Sequence, residues 1–144
     1  MQLVRSFEPE SSAQVGFGVR VLLVSADDQS GLIASRLASL GSMIECATEV
    51  FTGLEAMHND PAGYELFVLD CDTCGGIETG IKAVSMLAGT SRHIPAILVS
   101  QDCKLQVFSE DPNKPTILRA PLTAVSLRVG FEHALRDRLA MRMI

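Results

Sequence analysis

Three runs of consecutive apolar residues constrain the fold most strongly: Val21-Leu22-Leu23-Val24, Leu66-Phe67-Val68-Leu69 and Ala96-Ile97-Leu98-Val99. Each is too short for a buried helix, and none alternates apolar with polar residues. Strands of this composition hide both faces, as in a parallel sheet covered by helices on each side. The intervening segments carry the matching helical period. Leu32, Ile33, Leu37 and Leu40 recur at helical spacing, as do Val50, Leu54 and Met57, and then Ile81, Val84 and Leu87.

Turn residues complete the order. Residues 1–18 carry Glu8-Pro9-Glu10-Ser11-Ser12 and two glycines with little periodicity, and read as a flexible tail; 19–144 read as one domain. Strands are expected over 19–24, 43–47, 64–70, 94–100 and 116–119. The first helix starts near Asp27-Asp28-Gln29-Ser30 and stops at Gly41. Further helices are expected over 49–58, 77–87 and 124–140, with a short, weak one over 104–108 cut off by Asp111-Pro112-Asn113-Lys114-Pro115. The sum is an α/β chain of (βα)5 order, a doubly wound five-stranded parallel sheet.

Composition narrows the functional classes. At 144 residues, 47% hydrophobic and 20% charged, the chain can bury a core and is not of disordered type. A net charge of −5 argues against a nucleic-acid surface, so no DNA partner is expected. No apolar run is long enough to cross a bilayer, and the polar N-terminus lacks the apolar centre of a secretory signal. The expected setting is cytoplasmic and reducing, with Cys46, Cys71, Cys74 and Cys103 as free thiols.

In a sheet of this kind the working crevice lies beyond the carboxyl ends of the strands, where strand order reverses. The polar residues at those ends are Asp27, Asp28, Asp70, Ser100 and the Arg119-Ala120-Pro121 turn. In isolation, Asp70 would simply cap a turn and Ser100 would be an ordinary strand end.

Four segments in order resemble the receiver domain of two-component response regulators. They are Val21-Leu22-Leu23-Val24 followed by acids, Tyr64-Glu65-Leu66-Phe67-Val68-Leu69-Asp70, Ile94-Pro95-Ala96-Ile97-Leu98-Val99-Ser100, and Leu118-Arg119-Ala120-Pro121-Leu122. The likeness spans residues 19 to 140, and Asp70 and Ser100 stand 30 residues apart, which suits the family. It implies a flavodoxin/receiver-like three-layer sandwich. It also implies Asp70 as phospho-acceptor, Ser100 as the switch hydroxyl that binds the phosphoryl group, and Mg²⁺ held by upstream acids, here Asp27 or Asp28, together with Asp70. A carboxylate attacking a phosphate is anion meeting anion, so such a site needs cations. The implied activity is at most self-phosphorylation from a phospho-donor. The implied partners are a histidine kinase, a phosphotransferase or neighbouring signalling domains, with a homodimer through the last helix as one arrangement.

Several positions depart from that pattern. The acidic pair normally follows the first strand directly, where this chain has Ser25 and Ala26. Counting 43 residues back from Asp70 favours Asp27, whereas counting forward to Gly41 favours Ser25, and the register stays open. Ala120 replaces the usual lysine, Ile117 the usual aromatic, and Thr73-Cys74 the usual methionine-proline. Arg119 adjoins Ala120 but points to the other face of its strand. These changes favour a degenerate receiver that works through protein contact over a phosphorylatable one.

Two other functions are carried as alternatives. Some pseudo-receivers bind cyclic dinucleotides near the fourth helix, fifth strand and fifth helix, which makes Arg119 a candidate anion contact; Arg128, Arg136, Arg138 and Arg142 read first as a solvated helix face. Cys71-Asp72-Thr73-Cys74 has the spacing of a redox pair, but chance occurrence outweighs it, and no second pair completes a zinc site.

Overall fold

The computed structural model describes residues 15–27, 31–60, 63–89 and 93–137. Five strands, β1 (Arg20–Val24), β2 (Met43–Ala47), β3 (Leu66–Asp70), β4 (Ala96–Ser100) and β5 (Thr116–Arg119), form one sheet in the order β2-β1-β3-β4-β5. Every neighbouring pair is parallel. Four helices, α1 (Leu32–Ser39), α2 (Val50–Asn59), α3 (Ile77–Ala88) and α4 (Ala124–Ala134), cover it, and a short 3-10 turn (Cys71–Thr73) follows β3.

The consecutive apolar runs resolve into two interleaved faces. Val21, Leu23, Leu66, Val68, Ile97, Val99 and Leu118 pack with Ile33 and Leu37 of α1 and with Leu127 and Phe131 of α4. Leu22, Val24, Phe67, Leu69, Ala96 and Leu98 pack instead with Met57 of α2 and with Ala83, Val84 and Leu87 of α3. Alternate residues of a strand point to opposite faces, so a strand buried on both sides must be apolar throughout. β2, at the sheet edge, is exposed at Met43 and alternates accordingly.

Two segments differ from expectation. Residues 15–18 form a turn that joins the domain: Gly16 N–H donates to Leu40 O at 2.7 Å, and Val15 packs against the α1–α4 core. No helix forms over 104–108. That stretch is spent on the outer edge of β5, where Val107 and Ile117 exchange backbone hydrogen bonds of 2.8 and 2.9 Å and the Gln106 side chain accepts from Arg119 N–H. Covering an edge strand satisfies peptide groups that a separate helix would leave to solvent. The (βα)5 order therefore lacks its fourth helix among the described residues. The end of the last helix expected over 124–140, from residue 138 on, lies outside them.

Candidate functional site

β1 and β3 are the two strands between which the chain order reverses, and their carboxyl ends open into a cleft of about 210 Å³. Ser25, Asp27, Asp70, Asp72, Thr73 and the Ala120-Pro121 turn line it, with Ile33 and Ala34 of α1 as an apolar wall. The Ala120–Pro121 peptide is cis.

Asp70 is the last residue of β3 and only 7% exposed. By strand alternation it faces the α1–α4 side, as Leu66 and Val68 do. Ser25, 2% exposed and the first residue after β1, donates its hydroxyl to Asp70 Oδ2 at 2.9 Å and accepts from Asp27 N–H at 3.2 Å. The position beside Asp70 is thus a hydroxyl, two residues before the first of the acids. Asp27 lines the same cleft, and Asp28 lies outside the described residues. Among the described residues no three His, Cys, Asp or Glu side chains converge as metal ligands. Mg²⁺ is held by one or two carboxylates with water and phosphate. Asp27, Asp70 and Asp72 line this cleft, but Asp70 Oδ2 is engaged by Ser25 and both Asp72 oxygens are engaged at the end of β4.

Ser100 and Arg119 fall on the other face. Ser100 has the parity of Ala96 and Leu98 and pairs in register with Arg119. Its hydroxyl is fully buried, donates to Asp72 Oδ1 at 3.1 Å and accepts from Asp102 N–H at 3.1 Å. Arg119 is exposed, and its Nε–H donates to Cys103 O at 3.1 Å. The guanidinium is therefore tied to the β4–β5 loop, and Ala120 supplies no charge to the cleft. The sequence-based residues divide into a cleft group (Ser25, Asp27, Asp70) and a rim group (Ser100, Arg119).

Asp72 and Thr73 connect the two, and the sequence offered neither as a site residue, Thr73 entering there only as a departure from the family pattern. Asp72 lines the cleft, yet its carboxylate takes the Ser100 hydroxyl and, through Oδ2, Gln101 N–H at 2.8 Å. Thr73 Oγ1 accepts from Ala26 N–H at 3.0 Å. The 3-10 turn is thereby fastened to β1 on one side and β4 on the other. The only sequence signal was an acid two residues past Asp70, absorbed there into a Cys-x-x-Cys spacing. Cys71 itself is fully buried, and burial, reinforced by the charges of Asp72 and Asp70, pushes its thiol pKa up to about 12. Cys71 and Cys74 are both free thiols.

No protein-family model matches the chain, and no curated protein matches it in sequence. Solved structures do match in fold. A response regulator receiver domain protein from Clostridium thermocellum superposes with a TM-score of 0.67 at 16% identity, covering 85% of this chain and 98% of that one. CheY in a CheX-CheY-BeF3-Mg complex from Borrelia burgdorferi gives 0.62 at 15% identity, covering 87% and 92%. The beryllofluoride-activated NtrC4 receiver domain dimer gives 0.61 at 17% identity, covering 82% and 97%. The chain has a receiver-like fold, a five-stranded parallel sheet between helices.

Proposed function

We propose that this chain is a receiver-like signalling module of two-component type that acts through protein–protein contact, with Asp70 at the acceptor position of a degenerate site. One observation carries the reading: a carboxylate at the end of β3, at the strand-order reversal, in a cleft whose flanking positions are Ser25 and Ala120. The first supports the acceptor position. The second removes the charge that phosphoryl transfer onto a carboxylate needs. Arg119 does not compensate, because its guanidinium bonds Cys103 O on the far face.

The contact face is α4 with the adjoining loop. Val125 and Val129 of α4 are 74% and 49% exposed, and Leu105 and Val107 of the loop before β5 are 81% and 43% exposed. Exposed aliphatics in this number suit a protein partner, whether a kinase, a phosphotransferase, a neighbouring domain or a second copy. The cyclic dinucleotide alternative rests on Arg119 alone, whose Nε–H is already given to Cys103 O. The redox alternative is disfavoured by the burial and raised pKa of Cys71.

Incubation of the full chain with Mg²⁺ and acetyl phosphate, followed by intact mass, tests the degenerate reading. The expected result is no phosphoryl adduct. An adduct present in the native chain and lost in Asp70→Ala would replace it with a phosphorylatable receiver.

A further inference from the structure

We propose that the Asp72 carboxylate is a built-in anion that occupies the donor pair at the end of β4, holding the β4–β5 rim in its anion-bound arrangement without modification of Asp70. The inference uses the reading of Asp70 above only for its consequence in signalling. The occupancy itself rests on Asp72, Ser100 and Gln101.

The donors form a matched pair. The Ser100 hydroxyl reaches Oδ1 at 3.1 Å and Gln101 N–H reaches Oδ2 at 2.8 Å, one donor for each carboxylate oxygen. Asp102 N–H donates to Ser100 Oγ, which turns the hydroxyl hydrogen outward to Asp72. Hydrogen bonds to an ionised acceptor are the strong class. Two aimed donors at a strand end, one of them a backbone N–H, are the means by which a protein holds an oxyanion. Here the chain supplies that oxyanion from within.

The anion is set in place by covalent neighbours and not by a ligand. The 3-10 turn that carries Asp72 closes through Cys74 N–H to Cys71 O at 3.1 Å and Gly76 N–H to Cys71 O at 2.7 Å. Cys71 anchors it in the core, and Thr73 ties it to Ala26. The side chain of Asp72 is nonetheless exposed and lines the cleft, so an external anion would compete with it directly.

Its reach extends along the rim. Ser100 O accepts from Ala120 N–H at 3.1 Å, Arg119 Nε–H donates to Cys103 O, and Arg119 N–H donates to Gln106 Oε1. Asp72, the end of β4, the 101–106 loop and the end of β5 are therefore one hydrogen-bonded unit. A phosphoryl group or other anion drawn to Ser100 must first displace Asp72.

Amide NMR on the full chain tests this, comparing the native protein, Asp72→Asn and Asp72→Ala during titration with inorganic phosphate. Asp72→Asn keeps the shape and removes the charge, and both variants replace an exposed side chain. Removing the carboxylate is expected to shift the Gln101 amide strongly. Asp72→Ala is then expected to bind phosphate with a saturable Gln101 response about tenfold or more tighter than the native chain, the factor set by loss of charge-assisted bonds to the internal competitor. An unmoved Gln101 amide in Asp72→Ala overturns the proposal. So does equal phosphate affinity in native and variant chains, or no phosphate response in the variant. Acetyl phosphate labelling of Asp70 is scored separately, so a failure of the acceptor reading is distinguishable from a failure of the Asp72 clamp.

Discussion

The Cys71 thiol lies under α3 with no solvent contact, and desolvation is the largest cause of its raised pKa. A thiol raised from 9.0 to about 12 in the fold stabilises the native state below pH 9, where both states are protonated differently only to a small extent on the unfolded side. Above pH 9 the unfolded chain sheds this proton while the native chain retains it. The stabilising contribution is therefore lost progressively as pH rises toward 12. Denaturant midpoints measured across this alkaline range should fall for the native chain and fall less for Cys71→Ala. At pH 8 a thiol-specific chromogenic reagent should titrate Cys74 in the folded protein and Cys71 only on unfolding. Simultaneous reaction of the two would contradict the burial. The sequence displayed both cysteines and their spacing; it did not display that one of them sits beneath a helix.

At the scale of the element, α3 illustrates how the site is held. Val84 and Leu87 face inward as their spacing implies, but Ile81 of the same set is 47% exposed, and Gly80 and Ala83 take the inner places beside them. Less legible was Gly80, where the helix comes so near the sheet that an added Cβ would stand 2.8 Å from Cys71 Sγ and 3.1 Å from Leu98 Cδ2. Gly80→Ala improves helix propensity by about 1 kcal/mol but overpacks this contact at a cost of about 1–3 kcal/mol. A lowered urea midpoint with unchanged slope is the expected outcome, and a raised midpoint would mean that α3 lifts freely from the sheet. The same limit explains the 104–108 segment. Its residues permit a short helix, but β5 needs partners on its outer edge, and Gln106 and Val107 provide them. Edge pairing is a tertiary demand that no local window contains.

Across the whole molecule, β1, β3 and β4 are interior strands covered on both faces, whereas β2 is an edge and β5 is edged only by a loop. Native-state hydrogen exchange should follow this layout, with the slowest amides in Leu22–Val24, Phe67–Leu69 and Ile97–Val99 and faster exchange in β2. Equal protection of β2 and β3 would count against the layout. The opposite end of the sheet has its own fastening. Arg20 bridges Glu45 at 2.8 Å and Asp60 at 3.2 Å and stacks over Tyr64, whose hydroxyl donates to Glu45. These pairs are substantially exposed, so they align β1, β2 and β3 more than they stabilise them.

The sequence alone determined the alternation of strands and helices, the parallel sheet and the strand end at which Asp70 sits. Strands buried on both faces must be apolar at every position, and a carboxylate that ends such a run has nowhere to go but the strand-end crevice. Tertiary structure alone decided which polar groups meet there. Ser25 reaches Asp70 because β1 and β3 are adjacent in the sheet although 45 residues apart in the chain. Ser100 turns to Asp72 because strand parity puts it on the other face, and a turn of three residues brings a second carboxylate to it. Hydrogen-bond partners are set by strand register and by the direction of each Cβ, and both exist only once the sheet has formed.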